Sequence, residues 1–311
     1  MQHETTPHWQ NVGDTLCASG ESPFWHAQEE RLYWVDTLLK RVWRHHPASG
    51  RSEHWDFPEP VTGLAPCRSG GLLLVMGAQV MHAGSWMDVP TPLSTLPASR
   101  MPYRLQGGRC DPWGRFWVSS MPTGPEAGPD SGMTGTLYCL PTRRQARVEL
   151  QPVRGAVLDC HGWAWSPDGR FMVWCAHHRH EVEQAGMSLP GSWPPELGLP
   201  MTLARFSEAD VARLGSPRSG AMDKLGRYWV AMAGGGRVLC IDDHGQAQIE
   251  VRTPTFNPTG LCFGGADMRT LFVTSSRAHR SAEELAAYPR SGGVFSLRLD
   301  APGATQAVYW D

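Results

Sequence analysis

The sequence predicts an all-β fold, a six-bladed β-propeller built as one domain from residues 1–311. The first observation is a strand-like phrase of apolar and aromatic residues that recurs along the chain after a turn. The second is the spacing between copies, about 40 to 57 residues, which is typical of one four-stranded propeller blade. The six copies are RLYWV (Arg31–Val35), GLLLV (Gly71–Val75), GRFWV (Gly114–Val118), GRFMV (Gly169–Val173), GRYWV (Gly226–Val230) and TLFVT (Thr270–Thr274).

Tight turns rich in Asp, Pro and Gly precede several of these copies. The examples are CDPWG (Cys110–Gly114), SPDG (Ser166–Gly169) and MDKLG (Met222–Gly226). These residue types supply the backbone angles that a short connection between antiparallel strands requires. Each copy therefore predicts the first hairpin of a repeated blade.

Further runs rich in β-branched and aromatic residues are predicted to be the third strands of their blades. They are RVWRH (Arg41–His45), TLYCL (Thr136–Leu140), RVLCI (Arg237–Ile241) and GVFSL (Gly293–Leu297). An N-terminal strand normally closes the ring by joining the last blade. The predicted closing strand is DTLCAS (Asp14–Ser19), beside QAVYWD (Gln306–Asp311). Because such sheets bury their faces only against neighbouring sheets, we expect one cooperative domain.

Composition excludes two kinds of partner. The formal net charge is −2 with interspersed signs, so no broad basic surface is available for nucleic acid. No apolar run approaches the roughly 20 residues that span a bilayer, and the first ten residues do not resemble a signal peptide. We therefore expect a cytoplasmic protein without a membrane partner and, because propellers expose few strand edges, a monomer or weak dimer. The eight cysteines are scattered singly and are expected to be buried thiols.

Five longer phrases, taken in order, resemble the SMP-30/gluconolactonase/regucalcin family of six-bladed propellers over nearly the whole chain. They are GESPFWHAQEERLYWVD (Gly20–Asp36), CDPWGRFWVSSM (Cys110–Met121), HGWAWSPDGRFMVW (His161–Trp174), MDKLGRYWVAMAGGGRVLCID (Met222–Asp242) and PTGLCFGGADMRTLFVTSSR (Pro258–Arg277). The resemblance implies a hydrolase that opens sugar lactones, or in some relatives organophosphate esters, at one divalent metal in the central channel. Such a cation polarises the carbonyl and activates water, while a carboxylate takes the proton.

The implied metal site departs from the family pattern. The glutamate of the family's GE-x-P-x-W motif is present as Glu21, but His161 stands where the family has asparagine. The resemblance implies that Glu21 and His161 hold a metal, and imidazole favours zinc, iron or manganese over calcium. Arg218 replaces the family's aspartate, which is both ligand and base. Arginine cannot ligate a cation, so we expect Arg218 to orient an anionic group or an oxyanion, or to pair with Glu21.

Two further segments are expected near the substrate. The family's R-x-N-D-G motif reads RLQGG here, which implies substrate contacts from Arg104 and Gln106. An insertion of about 20 residues within His177–Pro200 is expected to form a lid over the channel mouth, since long connections are often functional. His177 or His178 would deliver a ligand or base, and Trp193 would close over the substrate; the alternative is a solvated polar loop. The loop Pro122–Met133 is expected to rim the same mouth.

Two functions remain open at the sequence level. In the first, the protein is a lactonase-type hydrolase of a small cyclic ester, in which Glu21, His161 and Arg218 form the catalytic group. In the second, the propeller has diverged and binds a small molecule, or is a metal-independent enzyme, without the ancestral metal-dependent hydrolysis. The replacement of a carboxylate by Arg218 argues for the second.

Overall fold

The computed structural model describes residues 8–97, 102–124, 133–142, 148–157, 159–187 and 192–311. Its strands, in chain order, are β1 (Gln10–Asn11), β2 (Gly20–His26), β3 (Arg31–Asp36), β4 (Arg41–His46), β5 (Arg51–Asp56), β6 (Val61–Pro66), β7 (Leu72–Met76), β8 (Gln79–Ala83), β9 (Thr91–Thr95), β10 (Tyr103–Cys110), β11 (Phe116–Pro122), β12 (Gly135–Leu140), β13 (Gln151–Val157), β14 (Cys160–Trp165), β15 (Phe171–Ala176), β16 (Glu181–Gly186), β17 (Met201–Arg205), β18 (Ser216–Met222), β19 (Tyr228–Ala233), β20 (Arg237–Ile241), β21 (Ala247–Arg252), β22 (Pro258–Gly264), β23 (Thr270–Ser275) and β24 (Phe295–Arg298). Two short helices are α1 (Glu208–Leu214) and α2 (Ala282–Ala287), and His177–Arg179 form a 3₁₀ turn.

These strands form six four-stranded antiparallel sheets, so the predicted six-bladed β-propeller is confirmed. Blades 1 to 5 are β2–β5, β6–β9, β10–β13, β14–β17 and β18–β21, and blade 6 contains β22, β23, β24 and β1. The first strand of every blade lines a common central channel. The repeated phrase is the second strand of each blade, and the four predicted third strands are β4, β12, β20 and β24. None of the helices in the described ranges has the length and apolar character of a membrane span.

An N-terminal strand closes the ring by joining the last blade, as predicted, but it is not the strand that the sequence analysis chose. β1 pairs with β24, Gln10 opposite Ser296 and Asn11 opposite Phe295, so Gln10–Asn11 completes blade 6. The predicted segment Asp14–Ser19 was the wrong choice, because it crosses from blade 6 to blade 1, with the buried Cys17 donating its N–H to the Gly292 carbonyl. The segment Gln306–Asp311 does not accompany it.

The predicted lid within His177–Pro200 is wrong for most of its length. Glu181–Gly186 form the third strand of blade 4, and Met201–Arg205 form the fourth. The third strand pairs with β15, with Ala176 opposite Glu181 at one end and Phe171 opposite Gly186 at the other. The sequence does not indicate this strand because it contains two glutamates, Glu181 and Glu183, which are buried in the structure. Inside the fold Arg205 Nε donates to Glu181 Oε1 (2.7 Å), and Trp174 Nε1 donates to Glu183 Oε2 (2.9 Å).

The connection from β16 to β17 consequently lies at the end of the blade opposite the channel mouth, called the lower face below. Arg115, which follows a lower-face turn, donates a hydrogen bond to the Ser192 carbonyl (3.0 Å). Trp193 is therefore on the lower face and does not cover the mouth. Residues 188–191 of this connection, and residues 125–132 of the second predicted loop, Pro122–Met133, lie outside the described residues.

Two of the repeated turns, CDPWG and MDKLG, are held by the buried aspartates Asp111 and Asp223. Asp111 is fully buried, and its Oδ1 accepts hydrogen bonds from the backbone N–H groups of Trp113 and Arg115. Its Oδ2 accepts from Arg115 Nε (2.6 Å) and from Trp117 Nε1 (2.7 Å). One carboxylate thus fixes the turn and anchors the indole of the next strand, which explains why the Asp-x-x-Gly phrase recurs with an aromatic strand.

A segment called the lower-face segment, residues 303–311, crosses beneath the channel. Gly303 bridges to Asp223 in blade 5, and Tyr309 bridges in parallel to Cys67 in blade 2. The Trp310 N–H then donates to the Gly114 carbonyl in blade 3 (3.0 Å). Residues 306 and 307 line the channel cavity, so this segment closes its lower end.

The stabilising role of these aspartates can be tested at Asp223, in the turn MDKLG (Met222–Gly226). Asp223 is buried and accepts from Arg227 Nε (2.7 Å) and Trp229 Nε1 (3.0 Å). We expect Asp223→Ala to lower the free energy of unfolding by about 2 kcal/mol, because the half-buried Arg227 guanidinium and the buried Trp229 indole N–H lose their acceptor. Urea denaturation measures this change. The matched control is Asp242→Ala, which removes a surface turn aspartate that accepts from backbone N–H groups; an equal loss for both variants would contradict the explanation.

Candidate active site at the channel mouth

The channel mouth contains two adjoining cavities bordered by the first strands of the blades. Glu21, His161 and Arg218, which the sequence analysis selected, all line the channel cavity. Glu21, Arg218 and Thr259 also line a wider cavity of about 480 Å³ above it, between blades 1, 5 and 6. The fold therefore brings the three predicted residues to one hollow.

An irregularity in the first strand of each blade sets the direction of these side chains. The pairing register shifts between Glu21 and Phe24, between His161 and Ala164, and between Pro217 and Ser219, so Arg218 lies within a bulge. Bulges re-aim side chains and increase local twist. In the second of these bulges a Cβ atom at Gly162 would lie 2.2 Å from the Gly220 nitrogen, so only glycine allows β14 and β18 to approach this closely.

Arg218 lies between two carboxylates from different blades. Its Nη2 is 3.8 Å from Glu21 Oε1, and its Nη1 is 3.6 Å from Asp159 Oδ1. Ser19 Oγ donates a further hydrogen bond to Glu21 Oε1 (3.0 Å). The guanidinium thus partly neutralises two anionic groups in the mouth. We call Glu21, Asp159, His161 and Arg218 the mouth cluster.

Asp159 and His161 form a hydrogen-bonded pair, with His161 Nε2 2.6 Å from Asp159 Oδ1. Burial alone would raise the pKa of Asp159, but the hydrogen bond and charge of His161, together with Arg218, hold it well below its usual range. An ionised carboxylate can only accept, so His161 Nε2 donates. In the neutral ring, Nδ1 then carries the lone pair, and it makes no hydrogen bond to the described residues.

His177 lines the wider cavity from the 3₁₀ turn between β15 and β16. Its Nδ1 donates to the Pro217 carbonyl (2.9 Å). Burial, assisted by the charge of Arg218, lowers the pKa of His177 to about 4, so this imidazole is neutral near pH 7. The neighbouring His178 is exposed and does not line either mouth cavity.

Two other predicted substrate contacts, Arg104 and Gln106, line neither mouth cavity. Gln106 is buried in β10, opposite Ser119 of the neighbouring strand. Arg104 Nη2 donates to Met121 Sδ (3.4 Å). Of the RLQGG phrase, Gly107 and Gly108 line the channel cavity instead.

Sequence reasoning missed Asp159. Its signal was a carboxylate two residues before His161, a spacing that places side chains on one side of an extended chain. However, Asp159 precedes β14 and has a φ of 48°, so strand periodicity does not locate it. Its ion pair with Arg218 joins blades 4 and 5.

The mouth cluster does not fit the divalent metal that the resemblance implies. The guanidinium lies within 4 Å of both carboxylates, so a cation bound between them would meet a fixed positive charge. Among the described residues, three potential ligand atoms lie within 4.8 Å of one another in the group Cys67, His82 and Asp311, which is away from the mouth.

The fold is a six-bladed propeller with a polar cavity at the mouth of its channel. The chain belongs to the SMP-30/Gluconolactonase/LRE-like family, whose family model matches residues 19–277. It is 33% identical to 6-deoxy-6-sulfogluconolactonase of Pseudomonas putida, over 93% of this chain and 94% of the relative. It is 26% identical to regucalcin of Gallus gallus, over 92% of each chain. Family membership supports a lactonase-type hydrolase with a small-molecule substrate.

Solved structures show the same fold. Regucalcin of Agrobacterium tumefaciens, titled a calcium-binding protein, has a TM-score of 0.84 at 20% identity, over 98% of both chains. A gluconolactonase of Xanthomonas campestris has a TM-score of 0.70 at 18% identity, over 95% of this chain and 90% of that chain. The propeller architecture is thus preserved at low sequence identity.

The lowered pKa of His177 predicts acid sensitivity. Because the neutral ring is favoured in the folded state, its contribution to stability is complete above about pH 6.5 and is lost as the pH falls to about 4. We expect wild type to lose about 2 kcal/mol more than His177→Gln between pH 7 and 4.5, measured by urea denaturation. The glutamine amide can still donate to Pro217.

The control variant is His244→Gln, because the His244 side chain is 81% exposed and its replacement should not change the pH dependence of stability. Parallel stability curves for wild type and His177→Gln across this pH range would contradict the assignment.

Proposed function

We propose that this protein hydrolyses a sugar lactone or a related small cyclic ester at the channel mouth. The observation that carries the proposal is the Asp159–His161 hydrogen bond beside Arg218. In this pair the ionised carboxylate fixes the tautomer of the ring. A water molecule near His161 Nδ1 would thereby have a general base, and the guanidinium would be close enough to stabilise an anion.

The reaction follows from these roles. His161 Nδ1 accepts a proton from water as the water oxygen bonds to the lactone carbonyl carbon, and the carbonyl oxygen becomes an oxyanion facing Arg218. The tetrahedral intermediate then collapses and the ring C–O bond breaks. The protonated His161 returns its proton to the leaving alkoxide, which gives the hydroxy acid.

Glu21 is assigned a positioning role. Its carboxylate is 3.8 Å from Arg218 Nη2 and accepts a hydrogen bond from Ser19. Two anionic neighbours hold the guanidinium in place before the reaction starts, so little reorganisation is needed when the oxyanion forms.

The wider cavity suits a hydroxylated substrate with an acidic group. Its hydroxyl and amide side chains are Ser19, Thr37, Asn257, Thr259 and Ser276. Arg280 and His279 also line it, across from the mouth cluster. The Pseudomonas putida relative is named for a sulfo-substituted gluconolactone. We therefore assign Arg280 to the recognition of an anionic substituent on the sugar.

The His161–Asp159 pair is tested by His161→Gln and Asp159→Asn. We expect kcat for lactone hydrolysis to fall about 10²- to 10⁴-fold in both, with KM changed far less, because the base or its tautomer is lost. A pH-monitored assay over a panel of aldonolactones provides the rates. The matched control is His180→Gln, which removes a histidine bonded to Ser216 outside both mouth cavities. Unchanged kcat in His161→Gln would refute the proposal.

Substrate charge is tested separately with Arg280→Ala. We expect KM to rise about tenfold for a glucaric acid lactone, which carries a carboxylate, and to stay constant for gluconolactone, because only the former loses a charge-assisted contact. Arg277→Ala, in the same connection but outside the cavity lining, is the control. An equal KM change for both lactones would overturn the assignment of Arg280 and leave the hydrolase proposal intact.

A second candidate function is binding without hydrolysis, favoured by the mutual neutralisation of Arg218 and its carboxylate partners. In that case wild type would bind aldonolactones saturably in calorimetry and release no acid from them. This combination of results would replace the hydrolase proposal.

A further inference from the structure

A separate group of side chains lies on the lower face, away from the channel mouth. Cys67 directly follows β6, His82 lies on β8 of the same blade, and Asp311 belongs to the lower-face segment. Their ligand atoms, a thiol sulfur, an imidazole nitrogen and a carboxylate oxygen, all lie within 4.8 Å of one another. The lactonase proposal uses none of these residues.

The separation between His82 and Asp311 does not correspond to a hydrogen bond. His82 Nε2 is 3.6 Å from Asp311 Oδ2, beyond hydrogen-bond distance. This nitrogen is buried and has no hydrogen-bond partner among the described residues. Ligands of one tetrahedral zinc ion, at about 2.0–2.3 Å from the metal, are separated by about 3.3–3.8 Å, which matches the observed distance.

The surroundings resemble those of a structural metal site. Cys67 is 1% exposed, and the Asp311 side chain is 6% exposed. The Ser69 N–H donates to Asp311 Oδ1 (3.0 Å), and the Ser69 hydroxyl donates to Oδ2, so the carboxylate is oriented by a second layer of contacts. The His82 side chain is 18% exposed, so solvent reaches the group on this side.

We propose that Cys67, His82 and Asp311 bind a zinc ion that fastens the lower-face segment to blade 2. Sulfur, nitrogen and oxygen ligands in one small site favour zinc over calcium or magnesium. Binding releases the thiol proton, and water completes the tetrahedron. Because the ligand atoms are spread over up to 4.8 Å, the side chains must draw together by roughly an ångström, which small rotations permit.

The proposed ion would stabilise the closed lower end of the channel. Tyr309, which is fully buried, and Trp310 already join the lower-face segment to blades 2 and 3. A zinc ion bound to Asp311 would add a link between this segment and β8. Its effect is therefore on stability, and the mouth cluster on the other face should be insensitive to it.

The test uses the full chain after treatment with a chelator and dialysis. Titration with zinc chloride in a calorimeter should show one bound equivalent and a rise in Tm. Cobalt(II) should give the near-ultraviolet charge-transfer absorption of a thiolate ligand, and Cys67→Ser should remove it. His82→Ala and Asp311→Asn should each weaken zinc binding at least tenfold. His54→Ala is the matched control, since His54 Nε2 is 3.3 Å from Asp56 in a pair without cysteine.

Several results would overturn the proposal. The first is that wild type takes up no zinc. The second is that zinc uptake persists unchanged in both His82→Ala and Asp311→Asn, and the third is a cobalt spectrum without thiolate character. Asp311→Asn keeps the test decisive if His82→Ala fails to fold, because it leaves the blade 2 strands intact.

Discussion

The ion pairs of Arg218 with Glu21 and Asp159 are the interaction on which the channel mouth depends. Three blades deliver these groups to one place, and two carboxylates brought together without a cation would repel each other and lose hydration. A divalent ion bound between them could balance such charge. Here a covalently attached guanidinium does so, which leaves His161 and Asp159 to form a hydrogen-bonded pair with a defined tautomer.

Most of the fold could be predicted because its signals are local. The buried aspartate at a turn, exemplified by Asp111, binds the indole of the strand that follows, so turn and strand occur together in the sequence. The prediction failed where signals were weak or masked. The closing strand Gln10–Asn11 has two residues and no alternation, and β16 contains buried glutamates that find their partners only in the folded blade.

The site was only partly predictable. Glu21, His161 and Arg218 could be located because each stands at a motif position of the family that the sequence resembles, and the structure places each of them in a bulged first strand beside the channel. Asp159 could not, because its position depends on a left-handed backbone conformation just before β14 and on an arginine nearly sixty residues later. Trp193 was placed on the wrong face because the strand Glu181–Gly186 was not recognised. This strand carries the chain from the mouth to the lower face before Trp193 is reached.

In the proposed mechanism, Arg218 supplies the positive charge of the reaction. The most direct measurement is the rate of aldonolactone hydrolysis by chelator-treated protein, carried out in the Asp311→Asn background so that the lower-face site does not interfere. We expect a rate equal to that of untreated protein and no response to added calcium, manganese or zinc. Loss of activity on chelation, with recovery on adding a divalent cation, would contradict it.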